Sequence, residues 1–284
     1  DVSSDFIFFL QSHADQFKHH GVPQNLYTLI YHKLVNKIDD AGDYFQFCEM
    51  PEGIVPENGR LPPYGILCKK EDGIKANSTA FIIQHHFMAE REDAMMEAAK
   101  NPQVLLEYEQ LFGIDATDMK PADRLQKFYD LMWEYNAALR LRDKDSDTDI
   151  CVWYLLDSVG LSLTYDQHPN CKLIPFFFMP EEKFYTLLIP IEDISYAELL
   201  TSDYLTSLQL LPDEFSAIPL RNRFTAAREA TQRLVDSYTP RELGKVLSPA
   251  SSFAVSQQPY TGAPHHIYSQ IELIPKYLTI EPFV

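Results

Sequence analysis

Two pairs of adjacent histidines, His19-His20 and His85-His86, are the residues whose type first suggests metal chemistry. Neighbouring side chains on a strand point to opposite faces, and on a helix they diverge by about 100°. Neither pair can place two imidazoles on one ion without a bend in the backbone. We therefore interpret these histidines as solvated or internally hydrogen-bonded groups, and we predict no metal site.

Other familiar catalytic patterns are missing from the sequence. It has no G-x-S-x-G, no H-E-x-x-H and no phosphate-binding glycine loop, and only 10 of its 284 residues are glycine. The four cysteines are scattered without a C-x-x-C pattern, at Cys48, Cys68, Cys151 and Cys171. This spacing favours four reduced thiols over a zinc ribbon or a disulfide framework.

The N-terminal region predicts two helices followed by a strand. An apolar stripe at helical spacing marks the first helix and consists of Phe6, Phe9, Leu10, His13 and Phe17. Gly21 is expected to end that helix, and Pro23 suits the first turn of a second one. Residues 44–50 alternate in a way that predicts a strand.

The remaining pattern predicts short strands around a helical insert. Residues 51–65 are rich in proline and glycine and predict a loop. Strands are expected at 66–68 and 79–84, on either side of a turn at residues 71–73. Three helices follow, of which the last opens at Pro121 with a stripe that continues to Leu139. Aromatic-rich strands follow at 150–156, 173–179 and 184–191, Gly160 marks a turn, and a helix is expected at 224–246. The fold class is therefore α+β.

The composition of the chain excludes some classes of binding partner. The net charge is −17, with 45% hydrophobic and 13% aromatic residues, which supports a sizeable core. Such a charge repels nucleic-acid phosphates and anionic lipids, so we expect neither a nucleic acid nor a membrane as partner. No run approaches the roughly 20 apolar residues of a membrane helix. The start at Asp1, without an initiator Met or a signal pattern, predicts a fragment of a longer chain.

Three short motifs, taken in order, resemble the SET methyltransferases. Gly73-Ile74-Lys75-Ala76 resembles the opening G-x-G-L-x-A strand of that fold. Pro169-Asn170 resembles the end of its N-H-x-x-x-P-N motif, and residues 198–204, which read E-L-L-T-S-D-Y, resemble its G-E-E-L-T-x-D-Y segment. The resemblance implies a SET-like core of short strands, with the predicted helices as its variable insert.

A longer resemblance covers residues 5–210 and points to the tubulin-tyrosine-ligase-like family, in a member that joins a SET-like N-terminal half to a ligase-like C-terminal half. The residues that carry it include Gly21-Val22-Pro23, His32-Lys33-Leu34, Asp40-Ala41-Gly42, Met132-Trp133, Val152-Trp153-Tyr154, Pro175-Phe176-Phe177 and Tyr185-Thr186-Leu187-Leu188. It implies four segments: an N-terminal helical extension (1–50), a SET-like domain (51–215), a helical segment (216–247), and a linker with the start of a truncated ligase-like domain (248–284). The ATP site of the ligase-like half would lie beyond residue 284.

The cofactor motif departs from the family pattern. In SET enzymes an Asn-His pair holds S-adenosylmethionine, and the equivalent positions here are Thr164 and Tyr165. Together with Gly73 and Asn170 they make up a degraded cofactor site, and Glu71 stands where the opening motif has its first glycine. Each lost polar contact costs about 1–3 kcal/mol, so two or three together reduce affinity by about 10²–10⁴. We therefore expect no cofactor in this chain.

Tyr204 aligns with the tyrosine that lines the methyl-transfer channel of SET enzymes. The resemblance implies that its phenol would accept a hydrogen bond from the substrate amine. The alternative is a buried tyrosine at the end of a strand, with its hydroxyl bonded to the backbone. Because the cofactor motif has changed, we interpret Tyr204 as a vestigial catalytic residue.

Three functional hypotheses remain open. The first is a catalytically inactive SET-like protein-interaction module that regulates tubulin and histone modification, as the family resemblance implies. The second is an active S-adenosylmethionine-dependent protein lysine methyltransferase, and the third is a structural spacer.

For the first hypothesis we expect protein partners: the tubulin body, basic protein tails, or the chain's own ligase-like half. Acidic tubulin tails should be repelled by the charge of −17. The resemblance implies the cytoplasm, with the cytoskeleton and the nucleus as further locations.

Overall fold

The computed structural model describes residues 4–49, 64–89, 93–112, 114–135, 137–142, 149–203, 236 and 279–282. The helices are α1 (Ser4–His20), α2 (Tyr27–Val35), α3 (Ala41–Tyr44), α4 (Ala94–Lys100), α5 (Pro102–Leu111), α6 (Pro121–Tyr135) and α7 (Ser158–Leu161). The strands are β1 (Phe45–Glu49), β2 (Tyr64–Cys68), β3 (Phe81–Ala89), β4 (Ala137–Arg142), β5 (Asp149–Leu156), β6 (Thr164–Tyr165), β7 (Cys171–Phe178), β8 (Lys183–Pro190), β9 (Thr201–Ser202) and β10 (Thr279–Pro282). The α+β class predicted from the sequence is confirmed.

Helix α1 buries one face because large side chains recur on it every four residues. Phe9, His13 and Phe17 are each at most 1% exposed. The helix ends at Gly21, whose φ of +64° favours a residue without a Cβ. The Gly21 N–H donates to Lys18 O at 3.2 Å, which satisfies one of the last carbonyls of the helix.

Six strands form the central sheet in the order β10-β4-β5-β3-β8-β7, and each neighbouring pair is antiparallel. β3 contains an irregularity between His85 and Phe87, where its pairing with β5 shifts register. β1 and β2 form a separate antiparallel pair, and β6 and β9 form a short parallel pair. None of the described helices combines the length and the apolar character that a membrane crossing requires.

Helices cover both faces of the central sheet. Successive residues of β7 point to opposite faces, so Phe176 belongs to one hydrophobic core and Phe177 to the other. The core around Phe176 includes Phe17 of α1 and residues of α2. The core around Phe177 includes Tyr108 of α5 and Phe128 of α6. The N-terminal helix pair is thus a layer packed on the sheet.

Helix α1 also covers the outer edge of β7. The Gln16 side-chain amide donates to Phe177 O and accepts from the Phe177 N–H, both at 2.9 Å. The Met179 N–H donates to His13 Nε2 at 3.1 Å. Pro175, two residues before Phe177, has no N–H to satisfy at that edge. These contacts protect the edge against pairing with another chain.

The prediction for helix α6 was wrong at its C-terminal end. The predicted stripe continues to Leu139, whereas the helix ends at Tyr135 and Leu139 lies in β4, opposite Val152 of β5. Leu139 fits a helical stripe, but it also alternates with Leu141 as a strand residue does. Pairing with β5 decides between the two patterns, and local spacing cannot show that pairing.

Two other predictions differ from the structure or lie outside it. Gly160, predicted as a turn, lies in the short helix α7. The predicted helix at 224–246 lies outside the described residues except for residue 236, which is helical. Of the predicted segment 248–284, only β10 is described, and it pairs with β4.

Candidate functional site

One segment, residues 191–203, connects three parts of the fold, and we call it the threaded segment. Near its start, Ile194 bridges Ile74 with backbone hydrogen bonds of 2.8 Å in both directions. Further along, Leu199 bridges Leu67 of β2. The segment then forms β9 and pairs in parallel with β6. Its second half therefore contacts β2 as well as β6.

Leu200 hydrogen-bonds to both β2 and β6. Its N–H donates to Ile66 O at 2.9 Å, and its carbonyl accepts from the Thr164 N–H at 3.1 Å. The parallel pairing that follows places Tyr165 beside Ser202. Two of the motifs that carry the SET resemblance are therefore adjacent in space, although they are about forty residues apart in the chain.

The side chain of Asn170 holds the threaded segment at two points. Its side-chain Nδ2 donates to Leu199 O at 2.8 Å, and its Oδ1 accepts from the Thr201 N–H at 2.8 Å. Its own carbonyl accepts from the Ile191 N–H at 2.8 Å. Asn170 is only 6% exposed. Both ends of its amide are thus engaged inside the protein.

Gly73 lies at the end of a turn over residues 70–73, so the turn predicted at residues 71–73 is confirmed. Its φ is +69°, and a Cβ on it would lie 2.4 Å from Ile194 O. A glycine is needed here because the threaded segment passes so close. Glu71 is exposed in the same turn. Gly73 thus has a packing role beside Ile194. Ile194 lies six residues before Leu200, the residue of the threaded segment that bonds to Thr164.

β2 precedes this turn, and its residues Gly65-Ile66-Leu67-Cys68 are all buried. The prolines and glycines of residues 51–65 predict a loop, whereas β2 begins at Tyr64. The opening motif stays assigned to Gly73.

Three buried hydroxyl groups surround the β6–β9 pair. Ser162, Thr164 and Ser202 are 1%, 7% and 1% exposed. Their Oγ atoms are buried and make no hydrogen bond in the part of the chain that the structure describes. Burying a hydroxyl group without a hydrogen-bond partner costs free energy. A polar group of a ligand would therefore be bound favourably at these hydroxyls.

These residues do not fit S-adenosylmethionine in the way the SET motif holds it. The position of the motif's asparagine carries Thr164, whose short side chain has no amide. The position of its histidine carries Tyr165, which is among the largest fully buried side chains at 1% exposure. The amide of Asn170 is already engaged by the threaded segment.

Tyr204 lies outside the described residues, two positions after Ser202. Its assignment as a vestigial catalytic residue therefore stays a prediction. The parallel pairing of Tyr165 with Ser202 does show that the strand leading to Tyr204 lies beside β6.

The histidines singled out by sequence serve different purposes. His20 is buried, which lowers its pKa to about 4, while His19 is exposed. His85 is buried in β3, where Nε2 lies 2.8 Å from Thr186 Oγ1 and its ring stacks on Tyr154 with centroids 4.1 Å apart. Among the described residues, no group of three His, Cys, Asp or Glu side chains is arranged to hold a metal ion.

Three of the four cysteines are poor nucleophiles. Cys48, Cys68 and Cys171 are free and buried. Desolvation raises the pKa of Cys48 to about 11 and also raises the pKa values of Cys68 and Cys171. Because the thiolate is the reactive form, these side chains act as small core residues.

Comparison with known proteins identifies the fold family. A family model described as the tubulin tyrosine ligase SET-like domain matches residues 57–209. This range contains β2, the helical insert, β6, and the threaded segment with Asn170. The resemblance inferred from the sequence motifs is therefore confirmed.

Relatives in mouse, human and Caenorhabditis elegans carry the name tubulin–tyrosine ligase-like protein 12. The mouse protein is 28% identical over 212 residues, which cover 69% of this chain and 33% of the mouse protein. The human protein is 26% identical over 212 residues with the same coverage. The Caenorhabditis elegans protein is 21% identical over 257 residues, covering 72% of this chain and 38% of the relative.

The chain thus spans about a third of the length of these relatives. The residues that match the family model make up more than half of its 284 residues. The chain belongs to the tubulin tyrosine ligase SET-like domain family.

Proposed function

We propose that this domain is a catalytically inactive, SET-like protein-interaction module that regulates tubulin modification, and histone modification as a further role. The observation that carries the proposal is the burial of Thr164 and Tyr165 at the cofactor position, with 7% and 1% exposure. Thr164 brings no amide to this position, and the ring of Tyr165 is larger than the imidazole that it replaces. The fold keeps its strands there because the Asn170 side chain and the Leu200 backbone hydrogen-bond to them.

A cofactor titration tests the loss of binding. We expect the thermal midpoint of the domain to stay constant up to millimolar S-adenosylmethionine. A ligand present at 100 times its dissociation constant adds about 2.7 kcal/mol of stability, so genuine binding would be plain in the melting curve. An active SET methyltransferase in the same titration serves as the positive control. A saturable shift of the midpoint would contradict the proposal.

One observation favours the alternative, an active protein lysine methyltransferase. Ser162, Thr164 and Ser202 offer buried hydroxyl groups that could receive a polar ligand. In that case Thr164→Val should abolish any cofactor-dependent shift, because valine keeps the shape of threonine without its hydroxyl. A double variant, Thr164→Asn with Tyr165→His, restores the Asn-His pair of the SET motif, so it tests the proposal by a gain of cofactor binding. It should bind the cofactor more tightly than the natural sequence does.

The charge of the domain limits the kinds of protein surface that it can contact. Relatives of this chain are named as tubulin–tyrosine ligase-like proteins, which makes tubulin the partner to test first. Because the chain carries a net charge of −17, we infer contact with the folded tubulin body, and not with its acidic tails. Basic protein tails and the protein's own ligase-like half are the other partners proposed here. The cytoplasm and the cytoskeleton are the proposed location, with the nucleus for histone partners.

Tubulin with its acidic tails removed by protease provides the matched comparison. We expect this tubulin to bind the domain as tightly as intact tubulin, or more tightly, in a biolayer measurement at low salt. The difference should shrink as salt rises, because screening weakens repulsion between the tails and the domain. Binding that disappears with the tails would contradict the proposed contact with the tubulin body.

A further inference from the structure

The central sheet ends in a strand that comes from outside the SET-like domain. Among the described strands, β10 lies at one edge of the sheet and pairs with β4. The family match ends at residue 209, about seventy residues before β10 begins. Without β10, β4 would be the edge strand on this side of the sheet. The SET-like sheet thus receives its last strand from a part of the chain that follows the matched domain.

The opposite edge of the sheet is covered in a different way. There, side chains of α1 cover β7: Gln16 bonds to both backbone groups of Phe177, and His13 accepts from the Met179 N–H. Helix α1 also lies outside the matched residues 57–209. An open strand edge exposes unpaired N–H and C=O groups, which pair readily with other chains. Both edges of the matched domain are therefore covered by segments outside it, and the β4 edge is covered by a strand.

The sequence of β10 suits a position at the edge beside β4. Thr279 and Ile280 are β-branched residues, which favour strands. The antiparallel register places Glu281 opposite Arg140, and residues of opposite charge at facing positions favour such pairing. β10 ends at Pro282, and proline, which has no N–H to donate, is tolerated in the edge strand of a sheet.

We propose that the β4 edge is a strand-binding site for the segment that follows the SET-like domain, with residues 279–282 as its occupant. Extended segments bind open sheet edges chiefly through hydrogen bonds of their backbone. The family resemblance places residues 248–284 in the linker and at the start of the ligase-like half, so β10 anchors that half to the SET-like sheet. The inference rests on the proposed function, because it names the contact between the interaction module and its own ligase-like half.

Two successive prolines in β10 of the full chain test the pairing. Only every second N–H of an edge strand faces its neighbour, so Ile280→Pro with Glu281→Pro removes a donor whichever set faces β4. We expect amide hydrogen exchange at residues 137–142 to become at least about tenfold faster, because this strand edge opens. Exchange in β8, inside the sheet, should not change, which shows that the domain stays folded. The matched control, Ile280→Val with Glu281→Gln, keeps both N–H groups and should stay within about threefold of the natural chain.

A peptide of residues 276–284 tests whether the edge recognises this segment when the two are not covalently linked. The peptide carries a fluorophore, and its binding is followed by anisotropy. It should bind the double-proline variant, whose β4 edge is open. The natural chain should bind it at least about tenfold more weakly, because β10, held at high effective concentration, already occupies the edge. The same peptide with Ile280→Pro and Glu281→Pro is the matched control and should bind neither protein.

The outcomes separate the strand site from the function it rests on. Unchanged exchange at residues 137–142 in the double-proline variant would overturn the site, and so would equal acceleration in β4 and β8. Faster exchange in β4 without any binding of the peptide would overturn it as well, because the edge would then have no affinity for this segment. None of these results affects the tubulin and cofactor experiments. Conversely, a saturable cofactor shift together with peptide binding would overturn the inactive module and leave the strand site in place.

Discussion

Asn170 and Thr201 hydrogen-bond to each other in both directions. The Asn170 N–H donates to Thr201 Oγ1 at 2.9 Å, and the Thr201 N–H donates to Asn170 Oδ1 at 2.8 Å. Both residues are buried. This reciprocal pair fixes the threaded segment to the start of β7, so it stabilises the arrangement in which β6 and β9 lie side by side.

Replacing Asn170 by alanine should destabilise the domain by about 2–4 kcal/mol. The change leaves the Leu199 carbonyl and the Thr201 N–H buried without partners, and each such group costs about 1–3 kcal/mol. Urea unfolding measures the effect. Asn36→Ala is the control, because its amide donates to His32 O from an exposed position, and we expect less than about 0.5 kcal/mol there. A similar loss in both variants would show that the Asn170 contacts do not hold the segment.

Gly73→Ala should cost more than Gly21→Ala. Both glycines have positive φ, +69° and +64°, and alanine in that conformation costs about 1–2 kcal/mol. Only at Gly73 would the new Cβ also meet backbone, at 2.4 Å from Ile194 O, while at Gly21 nothing lies within 4 Å. We expect Gly73→Ala to lose about 1–3 kcal/mol beyond the Gly21 value. Equal losses would mean that the threaded segment moves aside freely.

His13 should make stability depend on pH below neutrality. Desolvation by burial lowers its pKa from 6.5 to about 4, and its ring is hydrogen-bonded to Phe9 O at 2.7 Å and to the Met179 N–H. The unfolded chain therefore takes up a proton at higher pH than the folded one. The stabilisation is complete above pH 6.5 and is lost as pH falls toward 4, by about 3 kcal/mol in all.

Urea unfolding between pH 7 and pH 4 measures this loss of stability. His13→Gln keeps a donor and an acceptor but cannot titrate, so its free energy of unfolding should fall less steeply over that range. His32→Gln is the control, because His32 is exposed. Parallel curves for His13→Gln and the natural domain would contradict the assignment.

Lys33→Met should destabilise the domain by about 2–4 kcal/mol. Methionine matches the length of the stem but leaves the Ala80 carbonyl and the Asp40 carboxylate without their donor. Lys127→Met, at an exposed position of α6, should stay within about 0.5 kcal/mol. Thermal and urea unfolding of both variants give the comparison. A stable Lys33→Met would show that the ammonium is dispensable and that only its hydrocarbon stem matters.

Much of the sheet could be predicted because its strands carry their own pattern. Residues 173–179 and 184–191 were expected as strands and correspond to β7 and β8, with boundaries within two residues. These segments could be predicted as strands because they are rich in aromatic and branched side chains, which pack on both faces of a sheet. The helical stripe of α1 was likewise visible, since Phe9, His13 and Phe17 repeat at the helical period.

Contacts between distant segments explain what the sequence did not reveal. The sequence predicted a turn at Gly73, but it could not show that the carbonyl of Ile194, more than one hundred residues away, lies against that glycine. The pairing of Lys33 with Asp40 and Ala80 was equally invisible, because a lysine in a helix ordinarily faces solvent. The type of a residue determines its local conformational preference. At these positions, contacts with the backbone of a distant segment determine the structure.

The threaded segment has a consequence for how the chain is made. β2 meets Leu199 at Leu67, so roughly 130 residues must be synthesised after the strand before its second neighbour exists. At about 5–20 residues per second, ribosomes need on the order of 10 s for that stretch. Throughout this interval the β1–β2 pair presents an open strand edge, at which a newborn chain can pair wrongly with another strand.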